Sequence, residues 1–164
     1  MVVKLLISLK MKAIKLLFAI LIVSLTCSSC LEANLKELDT YDGKDITSSY
    51  VFYRYVDNSN TWALSGAHYV KQITMAVANS IDTNRGTCDI AVSVPSNFPE
   101  GEIANLSAKQ LVVSVAISTA AVISPKGNSP ALGTPADWST PHEYVVTAAD
   151  GQTKDWTISV TLTK

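Results

Sequence analysis

The sequence predicts an all-β protein, and three observations support that fold class. Short runs of alternating apolar and polar residues recur along the chain, as in "DWTISVTL" near the C-terminus. Turn-forming segments such as "DTNRG" and "ADG" separate the runs, which is typical of short antiparallel strands. Beyond the first 30 residues, almost no segment has the period of a helix. We therefore expect a sandwich of two sheets, each of which buries one face against the other.

The composition fits a single domain with no strong charge. The chain has 164 residues, enough for one ordinary domain. Charged residues make up 16% of them, and the formal net charge is −1. A surface that binds nucleic acid needs a surplus of Lys and Arg, so we expect no nucleic acid among the partners.

The N-terminal segment has the layout of an export signal. "MKAIKLLFAILIVSLTCSSC" begins at Met11 with two lysines, continues with apolar residues from Leu16 to Leu25, and ends in small residues and cysteines. About ten apolar residues are too few to cross a bilayer, which needs roughly 20, whereas this order is that of a cleaved signal. The alternative is a core helix, but such a helix normally has a polar face. We predict a signal peptide over residues 1–29, with Met11 a candidate for the true start.

Cys30 is the predicted lipidation site. In bacterial lipoproteins a small residue precedes the cysteine that becomes the acylated N-terminus, and Ser29 stands in that position. Cys27 follows Thr26 and is the weaker candidate. The "CSSC" ending resembles lipoprotein signals of the Bacteroidetes type, whose acyl chains anchor a protein by burying methylene groups at about 0.8 kcal/mol each. The alternative is a disulfide between Cys30 and Cys27 or Cys88.

Residues 30–45 are predicted to form a flexible tether. "LEANLKELDTYDGKD" is polar and acidic and shows no strand alternation. Such a segment lets a folded domain stand off the membrane. The folded domain is then expected over residues 46–164.

Three strands are predicted in the first half of this domain. The runs are "SSYVFYRYVD", "HYVKQITMAVAN" and "TCDIAVSVP", all rich in β-branched or aromatic residues. "DTNRG" can supply a positive φ at Asn84 or Gly86, so we expect a hairpin between the second and third runs. Cys88 falls on the third run, where a lone cysteine is usually a small buried hydrophobe. Pro95 ends that strand.

The second half is predicted to add three strands and a long loop. A short helical turn near residues 103–106 precedes the fourth run, "LVVSVAIST". "SPKGNSPALGTPADWSTP" is too rich in proline and glycine for a regular element. "EYVVTAADGQTKDWTISVTL" contains two strands around Asp150-Gly151, a strong hairpin signal. Tyr144 is expected to meet Trp156 across this ladder.

Motifs in the C-terminal half carry a family resemblance. They are "VPSNFPEGEIANL" (94–106), "ISP" (123–125), "DWSTPHEY" (137–144) and "ADGQTKDWTISV" (149–160). In this order they resemble the immunoglobulin-like domain of Bacteroidetes surface lipoproteins, a DUF5018-like domain, although Ala149 stands where an acid is common. The resemblance covers residues 88–164 well and 46–87 weakly. It implies an immunoglobulin-like antiparallel β-sandwich in which Trp138 and Trp156 pack inside.

Few residues point to catalysis or metal binding. His68 and His142 are the only histidines, and we expect the first at the start of a strand and the second in a surface loop. The sequence has no zinc-protease, nucleophile-elbow or phosphate-loop motif. Asp82 and Asp89 could hold calcium with backbone oxygens, or they are solvated turn residues, as Asp150 is expected to be. We predict no enzyme activity, no metal site and no cofactor.

Aromatic residues are the best candidates for a ligand-binding site. Sugar-binding surfaces use exposed rings, because the apolar face of a pyranose stacks on them while polar groups bond its hydroxyls. Trp62 lies in the polar segment "DNSNTWALSG", which offers it no obvious core. Tyr53, Tyr55 and Tyr69 could stand beside it, with Asn60 as a hydrogen-bonding partner. The alternative is that one strand face is core and Trp62 caps the end of the sandwich.

The predicted function is binding or display at the cell surface. We expect an exported, lipid-anchored and non-catalytic lipoprotein of the outer membrane or cell surface, attached to the membrane by its N-terminal lipid, with a polysaccharide as the candidate ligand. The alternative is a structural spacer, or a subunit that docks a protein partner of a surface complex through a sheet edge or loop. A small hydrolase is a third hypothesis, disfavoured because the sequence offers no paired catalytic set.

Overall fold

The computed structural model describes residues 40–164. The predicted signal peptide, the tether up to residue 39, Cys27 and Cys30 lie outside the described residues. The described part is all-β, with nine strands in two sheets and short 3-10 turns at Glu100–Glu102 and Ala108–Gln110. No helix within it is long and apolar enough to cross a membrane.

Sheet A has four strands, all antiparallel to their neighbours. Their order across the sheet is β2 (His68–Thr74), β1 (Ser48–Thr61), β5 (Leu111–Ala116) and β7 (Pro135–Ala136). β1 is the longest strand among residues 40–164, and β5 pairs only with its first part, where Tyr53 opposite Leu111 is the last pair. Beyond Tyr53, β1 continues with β2 as a two-stranded ribbon, residues 54–72, which we call the β1–β2 ribbon.

Sheet B has five strands and is mixed rather than antiparallel throughout. Their order is β3 (Ala76–Asp82), β4 (Thr87–Ser93), β9 (Thr153–Thr163), β8 (His142–Thr147) and β6 (Val122–Pro125). β4 and β9 run parallel, which corrects the prediction of a purely antiparallel sandwich. The chain passes through sheet A between these two strands, so no tight turn forces them into opposite directions.

The second predicted run is two strands in different sheets. β2 ends at Thr74 in sheet A and β3 begins at Ala76 in sheet B. Between them Met75 is buried, and its backbone N–H donates to the Val51 carbonyl oxygen at 2.8 Å. The sequence does not show this change of sheet at Met75, because β2 and β3 both have an extended backbone and strand-forming residues.

Inward-facing residues of both sheets form one core. Trp138 and Trp156 are buried within it, as the family resemblance implies. Tyr144 pairs directly with Trp156, which confirms the predicted cross-strand contact. Cys88 is also buried, and this burial raises the pKa of its thiol to about 11. It therefore behaves as a small core residue and not as a nucleophile.

Both predicted hairpins form, and a glycine closes each turn. β3 and β4 pair across a turn in which Gly86 has φ +67°, and β8 and β9 pair across one in which Gly151 has φ +84°. The Asp82 carboxylate accepts the Asn84 N–H at 2.9 Å, and Asp150 accepts the Gln152 N–H at 2.9 Å. Both aspartates therefore act as turn residues.

Three local predictions differ from the structure. The helical turn lies at Glu100–Glu102, slightly before its predicted place. The proline-rich loop contains the short strand β7. His142 begins β8 instead of lying in a loop; its Nε2 donates to the Asp137 carbonyl oxygen at 2.7 Å, and its ring meets Trp138 edge-on at 5.0 Å.

The end of the predicted tether is held against β9. Trp156 Nε1 donates to the Lys44 carbonyl oxygen at 3.0 Å. Asp45 forms an ion pair with Lys154, whose ammonium lies 4.8 Å above the Trp156 ring centroid. Lys44 and Asp45, which belong to the predicted tether, therefore contact β9.

Gly86→Ala is expected to destabilise the protein more than Gly151→Ala. A methyl group at Gly86 would lie 2.3 Å from the Asp155 carbonyl oxygen, whereas at Gly151 nothing lies within 4 Å. Both variants carry the cost of a positive φ, about 1–2 kcal/mol, and only the first adds steric overlap, another 1–3 kcal/mol or so. Urea unfolding measures both free energies. Equal losses would contradict the close approach of the turn to β9.

Candidate functional site

The candidate site lies on one face of the β1–β2 ribbon. The pairs Tyr55–Lys71 and Asp57–Tyr69 follow each other along the ribbon, after Tyr53–Ile73 at its base. Directly paired residues point to the same side of a sheet, and so do residues two apart. Tyr53, Tyr55 and Tyr69 therefore share the face that in the sandwich is the inner one.

The exposure of the aromatic side chains rises along the ribbon with distance from the core. Tyr53 is 2% exposed, Tyr55 is half-buried, Tyr69 is 39% exposed and Trp62 is 54% exposed. The structure thus brings Tyr69 and Trp62 together at the outer end and leaves Tyr53 at the base. Tyr55 lies between them on the same side.

Tyr53, which the sequence suggested as a candidate ligand-binding residue, lies in the core. Its ring packs on Phe98 at a centroid distance of 5.5 Å and stacks on Tyr55 at 6.2 Å. Its hydroxyl donates to a Glu102 carboxylate oxygen at 3.1 Å. Burial, together with this carboxylate, raises the pKa of Tyr53 to about 12. The ring therefore packs mainly against other residues of the protein.

Trp62 and Tyr69 form an exposed aromatic pair. Their centroids are 5.6 Å apart and their planes are tilted by 31°. The turn beyond them is closed by two backbone bonds, from Trp62 N–H to the Ala67 oxygen and from Gly66 N–H to the Trp62 oxygen, both 2.8 Å. The pair thus sits on a hydrogen-bonded scaffold and not on a loose loop.

A bulge anchored by Asp57 sets the position of this pair. Three residues of β1 are inserted between the pairs Asp57–Tyr69 and Thr61–His68. The Asp57 carboxylate accepts the Ser59 N–H at 3.0 Å, the Asn60 side-chain amide at 3.0 Å and the Lys71 ammonium at 2.6 Å. The Lys71 ammonium and the Ser59 and Asn60 donors hold the pKa of this carboxyl well below its usual range.

Asp57 and Lys71 were missed by sequence reasoning. An aspartate in a strand followed by "NSN" does signal a bulge or turn, because Asp side chains bond to nearby backbone N–H groups. Its pairing with Lys71 depends on the register of β2, which the sequence does not state. Asn60 was predicted as a hydrogen-bonding partner of the candidate site, and its side-chain amide nitrogen donates to the Asp57 carboxylate.

The described residues offer little for a metal ion. Within residues 40–164, no group of three or more His, Cys, Asp or Glu side chains is placed to hold one. Asp89, the other half of the predicted calcium alternative, accepts a hydrogen bond from the Ser159 hydroxyl on the outer face of sheet B. The Asp82 carboxylate accepts the backbone N–H groups of Asn84 and Arg85 in its own turn.

Comparison with known proteins identifies the family. A predicted secreted protein from Bacteroides fragilis, known from its crystal structure, is 36% identical to this chain. The match covers 76% of this chain and 99% of that protein, with a TM-score of 0.68. A predicted glycoside hydrolase from Bacteroides thetaiotaomicron is 21% identical; the match covers 71% of this chain and 26% of that protein, and its TM-score of 0.39 is too low to support an argument. Comparison with curated proteins found no match. Residues 46–159 match the family model described as DUF5018-related, so this chain belongs to the DUF5018-related family.

Proposed function

We propose that this chain is an exported, lipid-anchored and non-catalytic surface protein that binds a glycan on its β1–β2 ribbon. The observation that carries the proposal is the exposed pair of Trp62 and Tyr69, whose rings lie side by side at the end of the ribbon. Exposed aromatic surface of this kind suits the apolar face of a pyranose ring.

Polar groups beside the rings supply the second half of sugar recognition. Asn60 lies two residues before Trp62 and uses its amide nitrogen to bind Asp57 and Ser59. Its carbonyl oxygen is therefore oriented and can accept a bond from a sugar hydroxyl. A side chain already fixed by the protein loses less entropy on binding than a mobile one.

The cellular part of the proposal rests on similarity and on the N-terminal pattern. The 36% identical relative is a predicted secreted protein, and the signal predicted over residues 1–29 accounts for export. An immunoglobulin-like arrangement is supported by two sheets packed on one core.

Trp62→Ala is expected to lower glycan affinity on a polysaccharide array about tenfold or more, because it removes the larger stacking ring. Its melting temperature should stay unchanged, since the ring is mostly outside the core. Leu64→Ala is the matched control: Leu64 is 95% exposed on the same ribbon but has no ring. Equal losses in both variants would indicate a nonspecific apolar contact. A wild-type protein that binds no polysaccharide on the array contradicts the proposal.

Acid is expected to loosen the ribbon before it unfolds the sandwich. The pKa of Asp57 is lowered in the folded protein, so its stabilising contribution is complete above its unfolded pKa of about 3.9 and is lost as pH falls from there through the folded value. The amide protection factors of residues 58–69, which are the intrinsic exchange rates at each pH divided by the rates measured by NMR, should fall below about pH 4. Asp57→Asn cannot titrate, so the protection factors of its ribbon should be equal on both sides of that pH. An unchanged wild-type ribbon at low pH would refute the anchoring role.

Cys30 is expected to be the acylated N-terminus of the mature protein. Mass spectrometry of protein extracted from membranes should show this residue with its lipid, and Cys30→Ala should move the protein to the soluble fraction. Cys27→Ala should leave acylation unchanged. A membrane-extracted chain that still begins at Met1 or Met11 would exclude this anchor.

A further inference from the structure

β2 is an open edge of sheet A. Within residues 40–164 it pairs only with β1, and no strand pairs with its other side. Every residue of β2 is exposed except Ile73, which is half-buried. The strand contains no proline or glycine, and its ladder with β1 is regular from Thr74 to Tyr69. An edge of this kind is a ready template for another strand.

Two backbone bonds show which groups of β2 point away from β1. The Met75 N–H donates to the Val51 carbonyl oxygen, and the Ala67 carbonyl oxygen accepts the Trp62 N–H, both at 2.8 Å. Met75 and Ala67 thus direct backbone groups toward β1 from the two ends of β2. Backbone groups alternate in direction along a strand, so the even-numbered residues direct their N–H and C=O groups toward the open edge. These are His68, Val70, Gln72 and Thr74.

Two valines form an apolar patch beside this edge. Val70 lies directly opposite Val56 on the outer face of sheet A, and the two residues are 66% and 49% exposed. The one formal charge in β2 is that of Lys71, whose ammonium binds the Asp57 carboxylate at 2.6 Å on the inner face. Lysines on edge strands commonly discourage pairing, but this charge is held by a residue of its own chain. The edge therefore offers an apolar outer face at Val70.

We propose that two copies of this protein pair antiparallel along β2, with Val70 on the two-fold axis, and join their four-stranded sheets into one. In this register Val70 of each copy faces Val70 of the other, and His68 faces Gln72. Facing residues exchange main-chain hydrogen bonds, as in any antiparallel ladder. Because paired side chains point to the same face, Val56 and Val70 of both copies form one row of four valines, with neighbours about 5 Å apart.

Charge and apolar contact select this register over its neighbours. A shift that sets Val70 against Gln72 places Lys71 directly opposite Lys71 of the second copy, and like charges in that position are destabilising. The opposite shift sets Val70 against His68 and breaks the valine row. With Val70 on the axis, Lys71 faces Tyr69 of the second copy, a neutral ring along which its aliphatic stem can pack. The strand is thus complementary to itself, which favours a second copy over an unrelated partner.

The dimer gathers two candidate glycan sites on one side. A two-fold axis perpendicular to the sheet keeps the inner faces of both copies on the same side. The two Trp62–Tyr69 pairs then face one direction, which allows both to engage one polysaccharide with the avidity of linked sites. This consequence rests on the proposed glycan function, whereas the dimer itself rests on β2 alone.

Disulfide trapping in isolated membranes tests the register. Val70→Cys places two thiols on the axis, where the facing Cα atoms lie about 5.5 Å apart, within the range of a disulfide. Gln72→Cys is the matched control, because its two thiols lie four residues apart along the ladder, roughly 13 Å. After oxidation, Val70→Cys is expected to give about tenfold more disulfide-linked dimer than Gln72→Cys, measured above the wild-type level on a non-reducing gel. The native Cys88 is buried and should not contribute.

Backbone variants test the ladder itself. In the Val70→Cys protein, Gln72→Pro removes an N–H that faces the second copy and not β1, so it should abolish cross-linking while the edge strand tolerates the proline. Gln72→Thr loses the same side chain but keeps the N–H, and should retain cross-linking.

The proposal fails if Val70→Cys gives no dimer, if both cysteine variants cross-link alike, if proline and threonine at position 72 act alike, or if the linked product does not have twice the mass of the chain. None of these outcomes alters the polysaccharide array, so the dimer and the glycan proposal fail separately.

Discussion

The point along β1 at which the core ends determines the rest of the surface. Up to Tyr53 the inner face of β1 packs in the core with Phe98 and residues of sheet B, and β5 pairs with its edge. Beyond it β5 is replaced by a 3-10 turn, and β1 continues without a sheet behind it. A two-stranded ribbon is marginally stable alone in water. The ribbon therefore depends on the buried first half of β1 for its register and on local bonds for its shape.

Asp57 supplies those local bonds. Its carboxylate binds the backbone of the bulge on β1 and the ammonium of Lys71 on β2, so one side chain fixes both strands at once. An exposed ion pair between two long side chains usually stabilises little. Here one partner is short and held by further donors from Ser59 and Asn60, which reduces the entropy that the pairing must overcome. The exposed rings of Trp62 and Tyr69 are thus positioned without being buried.

Strands and turns that depend on neighbouring residues could be predicted from the sequence. The choice of sheet and the direction of strand pairing could not, because they depend on residues far apart in the chain. The alternation of Trp156 and Ile158 and the glycines at 86 and 151 each carry a signal that acts over a few residues, and each predicted element formed. The corner at Met75 and the parallel pairing of β9 with β4 depend on which sheet a strand joins, which alternation does not encode. For the candidate site, aromatic type selected Trp62 and Tyr69, which are exposed, and also Tyr53, which is buried, because composition does not show where the core ends.

The two ends of the β1–β2 ribbon place different demands on the sequence. The outer end offers ring faces whose loss removes little buried area, so side chains there can change with small effect on folding. At the base, Tyr53 is held in the core by packing on Phe98 and by its hydrogen bond to Glu102. Variation among proteins of this fold should therefore concentrate at the outer end of the ribbon.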